Sequence, residues 1–198
     1  MRRAVITLLV LAATITACGG SKSVAGGWRT HHVDDGGFSI ETPAAWRTAE
    51  KFDPEALDAF VADNPEFAPF KDVLNGGLIK LLALDPDASN GFATNVNVVV
   101  HSLGGTIPLS EYARQSAASL RQLDSVDVSL VRLPAGRCAR FSYEHQTQVN
   151  GRLMWLAFLQ YGFVRGGSEY VITFTTPSLL RARYRTTFDR SARSFSFD

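Results

Sequence analysis

Cysteine is scarce in this sequence, and neither sign of charge is in excess. Two cysteines among 198 residues rule out a disulfide-stapled mini-protein and a multi-cysteine metal cluster. Twenty basic side chains against nineteen acidic ones give a net charge of +1, which offers no global field for nucleic acid or an acidic membrane surface. Catalytic signatures are missing as well: there is no Gly-x-Ser-x-Gly elbow, no His-Glu-x-x-His, no Ser-x-x-Lys and no glycine-rich phosphate loop. What remains, 45% hydrophobic and 20% charged, is the make-up of a globular protein and excludes collagen-like, coiled-coil and fully disordered chains.

The most informative segment is the first. Arg2 and Arg3 precede the charge-free stretch from Ala4 to Ala17, which is a signal-peptide pattern and too short for a comfortable membrane span of about 20 residues. It ends in Ile15-Thr16-Ala17-Cys18. That tetrad resembles the bacterial lipobox, in which the cysteine is lipidated and becomes the first residue of the mature chain. An ordinary secreted protein cleaved nearby is the alternative. The lipobox reading places a signal peptide at 1–17, a lipidated flexible tether at 18–27 and one domain at 28–198, on the extracytoplasmic side of the cell membrane. Each buried methylene of the lipid contributes about 0.8 kcal/mol, so two or three chains anchor the protein stably. Cys138 is then the sole remaining thiol, and its strand context suits a small buried hydrophobe better than a nucleophile.

Along the domain, Asp34-Asp35-Gly36-Gly37 reads as a hairpin turn between strands at 28–33 and 38–41. Asp53-Pro54 and Asn64-Pro65 open two short helices, with Phe60, Phe67 and Phe70 on their apolar sides. Strands follow at 78–84 and 92–101, where Phe92, Thr94, Val96, Val98 and Val100 alternate with Ala93, Asn95, Asn97, Val99 and His101. A helix from Leu109 to about Leu123 precedes strands at 126–133, 137–148, 153–164 and 169–176. A basic helix over 179–191 closes the chain, with Leu180, Tyr184 and Phe188 spaced i, i+4, i+8. The segment 153–164 is apolar on both sides (Leu153, Trp155, Leu159 and Phe163 against Met154, Leu156 and Phe158), as a centrally covered strand would be. The expected class is α+β: a mostly antiparallel sheet flanked by helices on both faces, an α/β/α sandwich.

Candidate chemistry is thin. His31-His32 with Asp34-Asp35 has plausible zinc-ligand types, but adjacent strand residues face opposite ways, and a solvated hairpin tip explains the cluster. Asp85, Asp87 and Asn90 lack the full calcium-loop pattern, and Pro86 and Gly91 read as a turn. His101 and His145 become candidate bases only if a carboxylate lies beside them. The last helix carries Arg181, Arg183, Arg185 and Arg190, which form either a solvated face or a contact for anionic headgroups or an acidic partner.

Gly37-Phe38-Ser39-Ile40 with Pro43 and Trp46, and the closing stretch Tyr170-Val171-Ile172-Thr173-Phe174-Thr175 with Tyr184, Phe188 and Ser194-Phe195, resemble the PsbP/Mog-type domain. With the lipobox, the chain is similar to the LpqN/LpqT-type lipoproteins of mycobacteria and other actinobacteria. The resemblance implies binding or assembly rather than catalysis: plant members bind a photosystem, nuclear-transport members bind a small GTPase, and the bacterial lipoproteins act in the cell envelope. It supplies no catalytic residue, no cofactor and no metal site. The expectation is therefore a membrane-anchored, non-enzymatic adaptor for envelope proteins. The alternative is a carrier or sensor of an apolar ligand such as a lipid, drawn from the aromatic residues of the early helices.

Overall fold

The computed structural model describes residues 27–49, 57–58, 61–62, 71–87, 91–120, 123, 126–149 and 151–198. The chain opens with a hairpin, β1 (Trp28–Val33) and β2 (Phe38–Pro43), paired antiparallel from Trp28↔Pro43 to Val33↔Phe38. Gly37 takes φ 65° in the connecting turn, a conformation that costs glycine nothing and other residues much. The outer edge of β2 is claimed by the last residues of the chain: β10 (Ser196–Phe197) pairs Ser196↔Ser39 and Phe197↔Phe38. The N- and C-terminal parts of the domain thus meet in one three-stranded sheet.

The main sheet has seven strands in the order β3-β4-β5-β9-β8-β7-β6, all neighbours antiparallel. Its members are β3 (Arg47–Ala49), β4 (Ile79–Leu84), β5 (Asn95–Ser102), β6 (Asp127–Leu133), β7 (Gly136–Val149), β8 (Arg152–Arg165) and β9 (Ser168–Pro177). Three helices complete the described elements: α1 (Lys71–Asn75), α2 (Leu109–Ser119) and α3 (Arg181–Ser194), the last entered through a 3₁₀ turn at Ser178–Leu180.

Side chains alternate along each strand, and the core divides accordingly. Leu159, Tyr161 and Phe163 of β8 join the cluster that holds Tyr184, Phe188 and Ala192 of α3. Leu156, Phe158 and Val164 join the cluster that holds Tyr112 and Ala113 of α2. Tyr184, Phe188 and Ala192 repeat every four residues, so one stripe of α3 is buried. Each large side chain buried there contributes about 1.5–3 kcal/mol. Helix α3 is also fastened to β2 by polar groups. Ser191 Oγ donates to the Glu41 carbonyl, and the Glu41 amide donates to Ser194 Oγ at 2.8 Å. Backbone groups just past the reach of β10 are thereby satisfied by helix serines.

Several expectations are corrected. The hairpin belongs to a separate small sheet, because its free edge pairs with the chain end and not with a strand of the main sheet. Phe92 does not share a row with Val96 and Val98; it lies in the α2 cluster, since regular β5 begins only at Asn95. Leu153 and Trp155 are not covered. They are 71% and 48% exposed, because the buried contact of β8 with α3 starts only at Leu159. Helix α2 ends at Ser119, with Leu120 as its C-cap. Of the two early helices, Leu57, Asp58, Val61 and Ala62 are helical and α1 covers Lys71–Asn75. Phe60, Phe67, Phe70 and both proline starts lie outside the described residues.

The α2 cluster depends on one missing methyl. A Cβ on Gly162 of β8 would collide with the Tyr112 ring and hydroxyl, and that ring is 2% exposed and hemmed in. Gly162→Ala is therefore expected to cost about 1–3 kcal/mol by overpacking, read as a fall in the urea midpoint at unchanged slope.

Candidate functional site

Helix α3 lies across the main sheet and leaves an open groove along one flank. The groove has a volume of about 870 Å³ and is bounded by α3 on one side and by β7 and β8 on the other. Ala157, Leu159 and Tyr161 from one side of β8 form its floor with Phe188 of α3, and Ser142, Thr176, Ser178 and Thr186 line it with hydroxyls. Its charged lining is Arg140, Arg181, Arg185 and Asp189. Trp155 stands two residues before Ala157 on the same side of β8, half exposed, and Leu179 at the same end is 94% exposed.

Helical geometry splits the four arginines expected to act together. At about 100° per residue, Arg185 falls some 40° round the helix from Arg181, whereas Arg183 and Arg190 fall about 200° and 180° round, on the opposite flank. Arg183 and Arg190 fall on the flank away from the groove. Arg183 pairs with Asp87 at 3.3 Å and lies over the Tyr184 ring, while Arg190 pairs with Glu41 at 3.2 Å and stacks on Trp28 at 4.1 Å. They pin the helix and the first strand. Arg181 and Arg185 line the groove. Arg181 reaches Glu144 and Ser142, each at 3.5 Å, and among the described residues no carboxylate pairs with Arg185. Arg140 joins them from β7, with Asp127 at 3.8 Å. Arg140 was not anticipated because only the β7–β8 register, Arg140↔Tyr161, brings it to the helix. Burial raises the Tyr161 hydroxyl's pKa, and the nearby Arg140 offsets part of that.

The other candidates resolve into structural contacts. His31 is buried with Nε2 2.8 Å from Thr42 Oγ1, and His32 Nδ1 lies 2.8 Å from Ser39 Oγ. Asp35 instead accepts from Lys80 at 3.0 Å. The buried Asp85 carboxylate accepts the Tyr184 hydroxyl at 2.7 Å and the Asp87 amide at 2.9 Å. That is an Asx turn whose side chain is used up by the fold. Asn90 and Cys18 lie outside the described residues.

One juxtaposition could not be read along the chain. The β5–β9 register sets His101 opposite Glu169, and Tyr112 of α2 lies close enough to the same carboxylate to lower its pKa. Glu169 is 4% exposed and Tyr112 is 2% exposed, whereas His101 is exposed, so a surface histidine stands beside a buried carboxylate. Burial raises the Glu169 pKa above the ordinary 4.5, while His101 and Tyr112 pull it back down.

Two outcomes follow from these environments. A raised folded-state pKa means that the folded protein holds this proton more tightly than the unfolded chain does. The linked stability is therefore present below the ordinary value of 4.5 and is lost as pH rises through the folded value. Glu169→Gln is expected to be more stable than wild type at pH 7–8 and to lose less stability between pH 5 and 8, as measured by denaturant titration. Cys138 is fully buried, and burial pushes its thiol up to about 11. It should stay unmodified by a disulfide reagent at pH 8 in the folded domain and react fully in denaturant.

No family model and no curated protein matches the chain. Among solved structures, LpqN, involved in cell envelope biogenesis of Mycobacterium tuberculosis, aligns at 12% identity over 86% of this chain and 90% of its own, with a TM-score of 0.52. Cyanobacterial PsbP (CyanoP) from Synechocystis sp. PCC 6803 aligns at 12% over 93% and 99%, TM-score 0.50. The Saccharomyces cerevisiae Ran-binding protein Mog1p aligns at 8% over 87% and 96%, TM-score 0.50. A Bacteroides thetaiotaomicron structure matches at 17% identity and TM-score 0.51 over 87% of this chain, which spans about half (48%) of that longer one. At such identities the likeness is one of fold, and the fold is PsbP/Mog-like.

Proposed function

We propose that this protein is a lipid-anchored, extracytoplasmic protein of the cell membrane that works as a non-enzymatic adaptor, holding an envelope protein in the groove beside α3. The anchor is read from Arg2-Arg3, the apolar stretch and Ile15-Thr16-Ala17-Cys18. In the three-layer arrangement that goes with it, α2 and α3 sit on opposite faces of the main sheet. The observation that carries the adaptor role is the groove itself. It is open and arginine-rimmed, and an exposed tryptophan continues its floor. Arginine and tryptophan are the side chains that most often dominate binding energy at protein interfaces. The fold of LpqN, named for cell envelope biogenesis, is consistent with this setting. The carrier reading rests on Phe60, Phe67 and Phe70, which lie outside the described residues.

The test is in-cell photo-crosslinking of the full lipoprotein, with a benzophenone side chain at Ala182 in the groove wall and, as the control, at Thr30 on the exposed side of β1. One or two dominant envelope proteins are expected at position 182, none of them at position 30, and a much lower yield when Cys18→Ala removes the anchor. Equal yields at both positions, or no captured protein at 182, would overturn the adaptor role.

A further inference from the structure

We infer that the groove takes an extended, acidic segment of the partner protein, its carboxylates on the arginines and a bulky apolar residue against Trp155 and Leu179. This deepens the adaptor reading and rests on it.

Charge complementarity comes first. Three of the four charged side chains lining the groove are arginines, although the chain as a whole is nearly neutral. None of the three is strongly engaged. Arg140 and Arg181 hold long contacts, 3.8 and 3.5 Å, to carboxylates that are themselves 71% and 41% exposed, and pairs of that kind contribute little. Arg185 has no carboxylate partner among the described residues. An incoming carboxylate would gain a forked, charge-assisted contact there at little cost to existing pairs.

Shape and wall chemistry favour a polypeptide. From Ala157 to Tyr161 the floor advances about 13 Å at roughly 3.3 Å per residue, and the same side of β8 continues beyond the groove to Trp155, about 20 Å in all, enough for about six extended residues. The walls carry Ser142, Thr176, Ser178 and Thr186. Peptide N–H and C=O groups match such hydroxyls, whereas an acyl chain would desolvate them without a partner. The floor of Ala157, Leu159, Tyr161 and Phe188 is apolar along its length, but the large apolar side chains that stand exposed, Trp155 and Leu179, are together at one end. That end suits a single anchoring side chain.

The experiment uses the full chain in neutral detergent micelles and fluorescein-labelled octapeptides alternating Glu/Leu, Gln/Leu or Lys/Leu, read by fluorescence anisotropy. The Glu/Leu peptide is expected to bind at least about tenfold tighter than the other two, and more weakly as salt rises. Arg185→Glu should abolish the preference. Arg193→Glu, the same charge reversal on an exposed position of α3 that does not line the groove, should preserve it. Equal binding of the Glu/Leu and Gln/Leu peptides, or an unchanged preference in Arg185→Glu, would overturn the inference. So would Arg185-dependent binding of dihexanoyl phosphatidylglycerol with no binding of the Glu/Leu peptide, since the groove would then be a headgroup site. Crosslinks from position 182 that persist in Arg185→Glu cells would sink the acidic-segment inference and leave the adaptor role standing. A failure to capture any protein at 182 removes the adaptor role itself.

Discussion

The packing of Phe195 holds the two ends of the domain together. Its ring stacks on Phe38 and on Phe163, with centroids 5.3 Å away in each case, and meets Phe197 edge-on at 5.1 Å. Phe38 belongs to the hairpin and Phe163 to the main sheet, and Phe195 is the C-cap that follows α3. One fully buried side chain thus joins the first strands, the central strands and the last helix. Aromatic pairs of this kind add about 0.5–1.5 kcal/mol each beyond the area they bury. Such a junction also closes a very long loop, at an entropic cost that grows only slowly with loop length.

The groove follows from that closure. With its end fixed by Phe195 and its stripe of Tyr184, Phe188 and Ala192 buried, α3 has no freedom to rotate. Its two flanks then meet different surroundings. On one, Arg183 and Arg190 find Asp87, Glu41 and aromatic faces and become part of the scaffold. On the other, Arg181 and Arg185 face β7 and β8 across the groove, where Glu144 reaches Arg181 at 3.5 Å and no carboxylate among the described residues pairs with Arg185. Four arginines of one helix therefore play two roles, set by where the helix is seated.

Buried ionisable groups are handled differently on the two sides of the core. Asp85 is satisfied by Tyr184 and by its own turn. Glu169 has Tyr112 and His101, yet its Oε2 is left without a hydrogen-bond partner among the described residues. An under-satisfied buried carboxylate favours its neutral form, in line with the raised pKa of Glu169.

Local signals decided much of this protein. The Asp-Gly turn, the strand segments at 126–133, 137–148, 153–164 and 169–176 and the i, i+4, i+8 stripe of α3 are short-range patterns, and the structure has the hairpin, the strand run and the helix where those patterns put them. Each depends only on neighbours within a few residues, so a linear reading suffices. Tertiary structure alone decided that the hairpin would pair with the chain end, that Phe92 would cross to the α2 cluster and that Trp155 would stay exposed. It also set Arg140 beside α3 and His101 beside Glu169. These placements depend on strand register and on how far a helix extends over a sheet, which arise from contacts between residues far apart in the chain. A one-dimensional pattern carries no record of them.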